Sequence, residues 1–298
     1  MLILFRLLSC LPLGVLQSFG RLGGKLVFAW PGRYRERLLA NVRQAGYTDP
    51  SFAWEAAAQT GAMIMELPRI WLKTEKCLAL IQDNEGLLVE QIKQDGRGLL
   101  FLTPHLGCFE MAARYGATHF PVTVMYRPPR KAFLAPLMEA ARNGAGVTAV
   151  PANLQGVKEF LKALKRKKTV GMLPDQVPRE GEGVWAPFFG REAYTVTLPG
   201  KLASMTNAIV IVVACERLPK GQGWRMHYLR APEHLPEDPR SQAQLFNEMM
   251  QTLITRFPTQ YLWGYHRYKR PKQAPPPPGE STRDRSGLHT QPTRDGTS

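Results

Sequence analysis

The chain changes its hydrophobic rhythm near residue 98. Before that point apolar positions recur at helical spacing: Tyr34 to Ala45, Ser51 to Leu72 and Glu85 to Gln94 read as helices. The second opens after Asp49-Pro50 and brings Phe52, Ala56, Met63 and Leu67 near one face. From Gly98 the apolar runs become short and continuous, at 98–103 (GLLFLT), 121–126 (PVTVMY), 169–173 (TVGML) and 208–215 (AIVIVVAC). Continuous rather than alternating runs predict strands buried on both faces. Helical segments fall between them, at Gly107 to Ala117, Lys131 to Arg142, Leu154 to Lys167, Thr197 to Met205 and Gln242 to Arg256. The alternation predicts an α/β fold, a central mixed, largely parallel sheet flanked by helices.

The ends of the chain follow other patterns. Residues 1–30 hold no acidic residue, and Leu7 to Phe19 is an apolar run between Arg6 and the pair Arg21 and Lys25. A run of this length is short for a membrane span and fits a signal-peptide core, a core helix or an interfacial anchor. The cationic flanks favour an anchoring helix on an anionic bilayer. After Lys272 the composition turns to Pro275–Pro278 and then to polar residues, a tail expected to be disordered and dispensable. The expected division is therefore an anchor at 1–30, one folded domain at 31–272 and a tail at 273–298.

Composition narrows the partners. With 298 residues, 44% of them hydrophobic, the chain fills a sizeable core, and 39 Lys and Arg against 24 Asp and Glu give it a formal charge of +15. Such a charge attracts nucleic acid, anionic lipid or an acidic carrier protein. No RNA-binding aromatic signature, zinc finger or basic N-terminal arm supports the first. Cys10, Cys77, Cys108 and Cys215 form no CxxC pair, so neither a metal site nor a disulfide framework is indicated, and no cofactor is expected. A reducing, cytoplasm-facing location fits.

Candidate chemistry concentrates at Thr103 to Glu110, where a strand gives way to a helix, a position where α/β folds collect catalytic groups. His105 precedes the helix and Glu110 lies one turn inside it, which suits a base steadied by a carboxylate. The plainer alternative makes His105 a strand-end residue and Glu110 a helix-dipole residue. Cys108 offers another route, as a nucleophilic thiol in a first helical turn. Arg127 and Arg130 flank two prolines and suit a phosphorylated ligand, or solubilise a loop. Asp175 follows a strand and Pro174, as a functional carboxylate or a turn residue. The aromatic stretch Tyr261 to Tyr268 fits a bilayer interface or packing against the sheet. The basic run Lys162 to Lys168 fits a solvated face or a dock for an acidic carrier.

The block HLGCFE at 105–110 resembles the His-x4-Asp/Glu motif of glycerolipid-type acyltransferases. With MYRPPR (125–130), GMLPDQ (171–176), GVWAPFFG (183–190) and QYLWGYHRYK (260–269) in order, the chain resembles the lipid A late acyltransferases of the Gram-negative envelope over roughly residues 1–272. The resemblance implies a glycerolipid acyltransferase-like fold at the cytoplasmic face of the inner membrane. It implies transfer of a fatty acyl chain from an acyl carrier protein thioester to a hydroxyl of an anionic glycolipid, a lipid A precursor. His105 would be the general base and Glu110 its partner. Arg127 falls in the acceptor-binding block and Asp175 in the third; with Arg130 these are the expected substrate-binding residues. A phospholipid-type acyltransferase acting on lysophosphatidate would use the same dyad.

Overall fold

The continuous apolar runs form the centre of a sheet whose two faces carry separate cores. The computed structural model describes residues 2–126 and 146–279. Seven strands make the sheet: β1 (Ile81–Gln82), β2 (Leu99–Leu102), β3 (Val122–Tyr126), β4 (Val147–Pro151), β5 (Thr169–Met172), β8 (Ile209–Arg217) and β9 (Trp224–Arg230). Their order is β1-β9-β8-β2-β5-β3-β4, and every pairing is parallel except β8 with β9. A separate antiparallel hairpin joins β6 (Gly183–Phe188) to β7 (Arg191–Val196).

Because strand side chains alternate between faces, each central strand feeds both cores. Leu100 and Leu102 of β2 join Val210, Val212 and Ala214 of β8 on one side. Leu99 of β2 joins Ile209, Ile211, Val213 and Cys215 of β8 on the other. The described helices are α1 (Leu2–Cys10), α2 (Leu13–Ala29), α3 (Arg33–Gln44), α4 (Pro50–Leu72), α5 (Thr74–Leu78), α6 (Gly86–Asp95), α7 (Phe109–His119), α8 (Leu154–Lys165), α9 (Leu198–Thr206) and α10 (Pro239–Arg256). The first core takes α3, α8, α9 and α10 and the early part of α4; the second takes α7 and the end of α4. The predicted elements recur within a few residues, whereas β1, β4, β6, β7 and β9 were not predicted. In β9 buried positions alternate with half-buried ones, so it shows no continuous apolar run. The helix expected at Lys131 to Arg142 lies outside the described residues, as do Arg127 and Arg130.

The amino-terminal run differs from the single anchoring helix expected. Pro12 cannot donate a backbone hydrogen bond, and the chain breaks there into α1 and α2, bent by 119°. No single described helix is long and apolar enough to cross a membrane. Nor is α2 a detached segment, because it lies directly on α4. A Cβ on Gly24 would run into the carbonyl oxygen of Ala57, and one on Gly61 into that of Gly20. The inward face of α2 also buries Leu16, Gln17 and Phe28. Its outward face carries Val15, Phe19, Leu22, Leu26 and Trp30 at helical spacing, all exposed, with Trp30 at 79%. Ile3, Leu4 and Leu7 of α1 and Ile64 of α4 are exposed as well.

The proline-rich segment is likewise ordered at its start. Ala274 is buried, and Trp185 Nε1 donates to the carbonyl of Pro275 at 2.8 Å.

The close α2–α4 contact leads to a stability prediction. Gly24→Val should destabilise the protein by about 1–3 kcal/mol or prevent folding, since the intruding methyls force two helix backbones apart. Gly23→Ala, whose Cβ meets nothing within 4 Å, should leave the thermal midpoint in detergent unchanged or slightly raised. Equal midpoints for both variants would contradict this packing.

Candidate active site

β2 and β5 are adjacent and parallel, with Leu102 opposite Met172, so the loops that follow them leave the sheet at the same edge. This register brings together two segments that are 70 residues apart. After β2 the chain runs through Pro104 to His105 and enters α7; after β5 it runs through Pro174 to Asp175.

The His105 loop is fixed almost entirely through its backbone. Its carbonyl accepts from Leu262 N at 3.0 Å, Gly107 N donates to Gln260 O at 3.1 Å, and Cys108 N donates to Cys215 O at 2.7 Å. Gly107 adopts φ +59°, and a Cβ there would strike the carbonyl of Cys215. Only glycine lets the loop lie this close to β8.

Asp175 sits under His105 and holds it twice. One carboxylate oxygen accepts from the His105 backbone N–H at 2.8 Å and the other pairs with ring Nδ1 at 2.7 Å. Asp175 is 2% exposed. Burial alone would raise its pKa, but the charge and hydrogen bonds of His105 and the nearby Arg267 outweigh that and hold it below the usual carboxylate range. An ionised Asp175 fixes the proton of His105 on Nδ1 and turns a free lone pair on Nε2 outward. Gln176 Nε2 lies 3.1 Å from that nitrogen.

The carboxylate on the His105 ring is therefore Asp175 and not Glu110. Glu110, in the first turn of α7, accepts instead from Trp71 Nε1 of α4 at 3.3 Å. Burial lowers the pKa of Arg114, one turn further on, against the opposing charge of Glu110. Asp175 was expected to bind substrate, yet its buried carboxylate is committed to His105. Cys108 is 2% exposed, and burial followed by the charge of Glu66 pushes its thiol well above the ordinary value. That environment opposes the thiolate which an acyl-carrying cysteine requires. The aromatic stretch packs inward in part: Tyr261, Trp263 and Arg267 are buried, and Arg267 donates to the carbonyl of Tyr194 and the hydroxyl of Thr195, while His266 is exposed. The basic run Lys162 to Lys168 sits at the far end of the sheet, where Leu99 N donates to Lys168 O at 3.2 Å.

His105 opens onto a cavity of about 950 Å³. Its apolar wall includes Val124, Met125, Val147, Val157 and Met172, and its polar residues include Glu110, Arg114, Gln176, Arg179 and Lys201. Trp71, Arg114 and Gln176 escaped the sequence reading. Gln176 had a signal, because it stands beside Asp175 in the GMLPDQ block, and Arg114 stood at i+4 from Glu110. Trp71 had none, since only folding brings it to α7. Among the described residues no group of three or more His, Cys, Asp or Glu is placed to hold a metal ion.

The sequence pattern of the bacterial lipid A biosynthesis acyltransferases matches residues 1–270. The chain belongs to this family. It is an acyltransferase. Similar proteins include a lipid A biosynthesis acyltransferase of Haemophilus influenzae, 28% identical over 78% of this chain and 69% of its own length. A lipid A biosynthesis lauroyltransferase of Escherichia coli is 27% identical over 72% of this chain and 71% of its own. A palmitoleoyltransferase of lipid A biosynthesis from the same organism is 25% identical over 70% and 68%.

For this acyltransferase the geometry ranks the two carboxylates. Asp175→Asn should lower kcat by about 10³ to 10⁴ while the fold persists, because the amide removes the charge that fixes the tautomer and steadies an imidazolium. Glu110→Gln should cost less, and Cys108→Ala should keep most of the activity. Steady-state acyl-transfer assays check the order; a greater loss in Glu110→Gln than in Asp175→Asn would reverse it.

Proposed function

We propose that the protein transfers a fatty acyl chain from a carrier-protein thioester to a hydroxyl of a lipid A precursor, with His105 as general base and Asp175 as the carboxylate behind it. The observation that carries this reading is the Asp175–His105 pair, with Nε2 turned to a largely apolar cavity. His105 Nε2 takes the proton of the lipid hydroxyl as its oxygen attacks the thioester carbonyl carbon. The tetrahedral intermediate then expels the thiolate, and the imidazolium returns the proton to the sulfur. No enzyme nucleophile is required, in keeping with the buried, protonated Cys108.

The cavity lies within the size range of about 300–1,000 Å³ usual for small-molecule sites. Its apolar wall suits the acyl chain. Arg114, Arg179 and Lys201 suit a phosphorylated acceptor, and Arg127 and Arg130 are proposed to join them there. Glu110 is proposed to act from the cavity wall rather than on the ring of His105. The +15 charge favours both an acidic carrier protein and an anionic membrane, though the basic run at Lys162 lies at the wrong end of the sheet to present a carrier to this cavity.

The site is proposed to work at the cytoplasmic surface of the inner membrane. Support comes from the exposed stripe on α2, since each large side chain that becomes fully buried in lipid contributes about 1.5–3 kcal/mol before ordering costs. Arg6, Lys25, Arg33 and Arg37, from the same amino-terminal region, are exposed. The bent α1–α2 pair fits a surface seat, with residues 1–30 both anchor and part of the fold.

The decisive assay is mass spectrometry of lipid products from purified protein given acyl carrier protein thioester and either a lipid A precursor or lysophosphatidate. Acylated lipid A precursor should form, and His105→Ala should lower turnover by about 10² to 10⁴. Product from lysophosphatidate alone would replace this reading with the phospholipid-type one. In vesicle flotation, Phe19→Glu with Leu26→Glu should weaken binding to anionic vesicles and leave the thermal midpoint unchanged, whereas undiminished flotation would move the membrane contact elsewhere.

A further inference from the structure

The thioester carbonyl oxygen gains negative charge during acyl transfer, and a hydrogen-bond donor must meet it. The backbone around His105 has few to offer. The N–H of His105 is held by Asp175, that of Leu106 by Pro104 O, that of Gly107 by Gln260 O and that of Cys108 by Cys215 O. On the other loop Val177 N donates to Tyr265 Oη at 3.0 Å.

We propose that the side-chain amide of Gln176 is a catalytic group of this site, donating an N–H to the carbonyl oxygen of the acyl donor as charge develops on it. The orientation of that amide follows from the tautomer. With Nδ1–H given to Asp175, Nε2 is an acceptor only, so Gln176 must present its NH2 at 3.1 Å and not its carbonyl. A hydroxyl handing its proton to Nε2 must come within about 2.6–3.2 Å of it, which is the place that the amide nitrogen holds. The acceptor oxygen therefore displaces the amide sideways and leaves it beside the carbon under attack. The backbone on either side of Gln176 is clamped, at Asp175 by His105 and at Val177 by Tyr265, so only the half-buried side chain has to move.

The bond changes remain those of acyl transfer. The hydroxyl proton goes to Nε2, the new C–O bond forms as the carbonyl electron pair moves onto oxygen under the amide N–H, and the C–S bond breaks as that pair returns. Gln176 gains and loses no proton.

This inference rests on the acyl-transfer reading, and the test separates the two. The full chain in detergent is assayed with a thioester donor and with the matching dithioester, whose C=S sulfur accepts hydrogen bonds poorly. Q176A should lower kcat on the thioester by about 10² to 10³ with KM for either substrate changed less than about threefold. The wild-type preference for the thioester over the dithioester should shrink by a similar factor. Q176E keeps the shape of the side chain and serves if Q176A fails to fold. It should also be slow, with the acid limb of its rate profile moved to higher pH, because a carboxylate against Nε2 favours the imidazolium. A kcat within about threefold of wild type in a folded variant, or equal losses on both donors, would overturn the role and move the oxyanion to other donors, such as the first-turn N–H groups of α7. A wild-type protein that acylates no lipid hydroxyl would instead refute acyl transfer itself.

Discussion

The ion pair between Glu66 and Arg217 holds three parts of the molecule in one place. Glu66 is 0% and Arg217 5% exposed, and the guanidinium grips the carboxylate with two bonds of 2.6 and 2.9 Å. Burial works against the charge on Arg217, but Glu66 outweighs it. The remaining polar groups are satisfied in turn: Gln17 of α2 donates to Glu66, and Arg217 donates to Gln59 of α4 and to the carbonyl of Gly107. Removing one partner from such a pair costs about 3–5 kcal/mol, because the other charge is left buried alone. The fold thus ties the α2–α4 helices, the end of β8 and the loop beside His105 to one set of charges, and Gln260 secures the same loop from the far side through Gly107 N and the backbone of Arg217.

That fixation explains how the chemistry is divided. A loop whose N–H groups are spent on Asp175, Pro104, Gln260 and Cys215 has little left for a substrate, so on the proposed reading recognition and proton transfer fall to side chains. Asp175 makes the loop and the base one unit, since its two oxygens hold the backbone and the ring of the same residue. Beneath it, burial and then the charge of Asp175 raise the pKa of Tyr261, which keeps the phenol neutral as a donor to the carboxylate. Arg267 adds positive charge from the same layer. His105 therefore stands on a buried anion that stays ionised, and its Nε2, with Gln176 against it, lies on the cavity side.

The sequence revealed elements more readily than partners. Strands β2, β5 and β8 are buried on both faces, and such burial writes itself as an uninterrupted apolar run. Strand β9 pairs antiparallel with β8 and alternates, and β4 is an edge strand with an exposed Thr148, so neither does. His105 stood out for its place at a strand end. Its partner did not, because the contact with Asp175 depends on β2 and β5 being neighbours, and strand order is set by packing rather than by spacing along the chain. Spacing pointed instead to Glu110, the nearer carboxylate, which α7 directs to Trp71. The same limit applies to α2, whose glycines gain a meaning only when α4 is seen against them.

Helix α4 connects the apolar surface to the site. Its middle carries Gly61 against α2, and its last turns bring Leu67 and Trp71 into the cavity wall. Trp71 packs on Phe5 of α1, with ring centroids 5.6 Å apart, and donates to Glu110 on its other side. Helix α1, which carries the exposed Leu4 and Leu7, is thus in contact with a residue of the cavity wall. On the proposed reading this arrangement solves a problem of transfer between phases, since the acyl acceptor keeps its own chains in the bilayer while its hydroxyl must reach a water-poor base. A surface seated on lipid through α1 and α2 would bring the Trp71 side of the cavity wall toward the headgroups. The acceptor then needs to rise only far enough for its hydroxyl to pass Glu110 and meet His105.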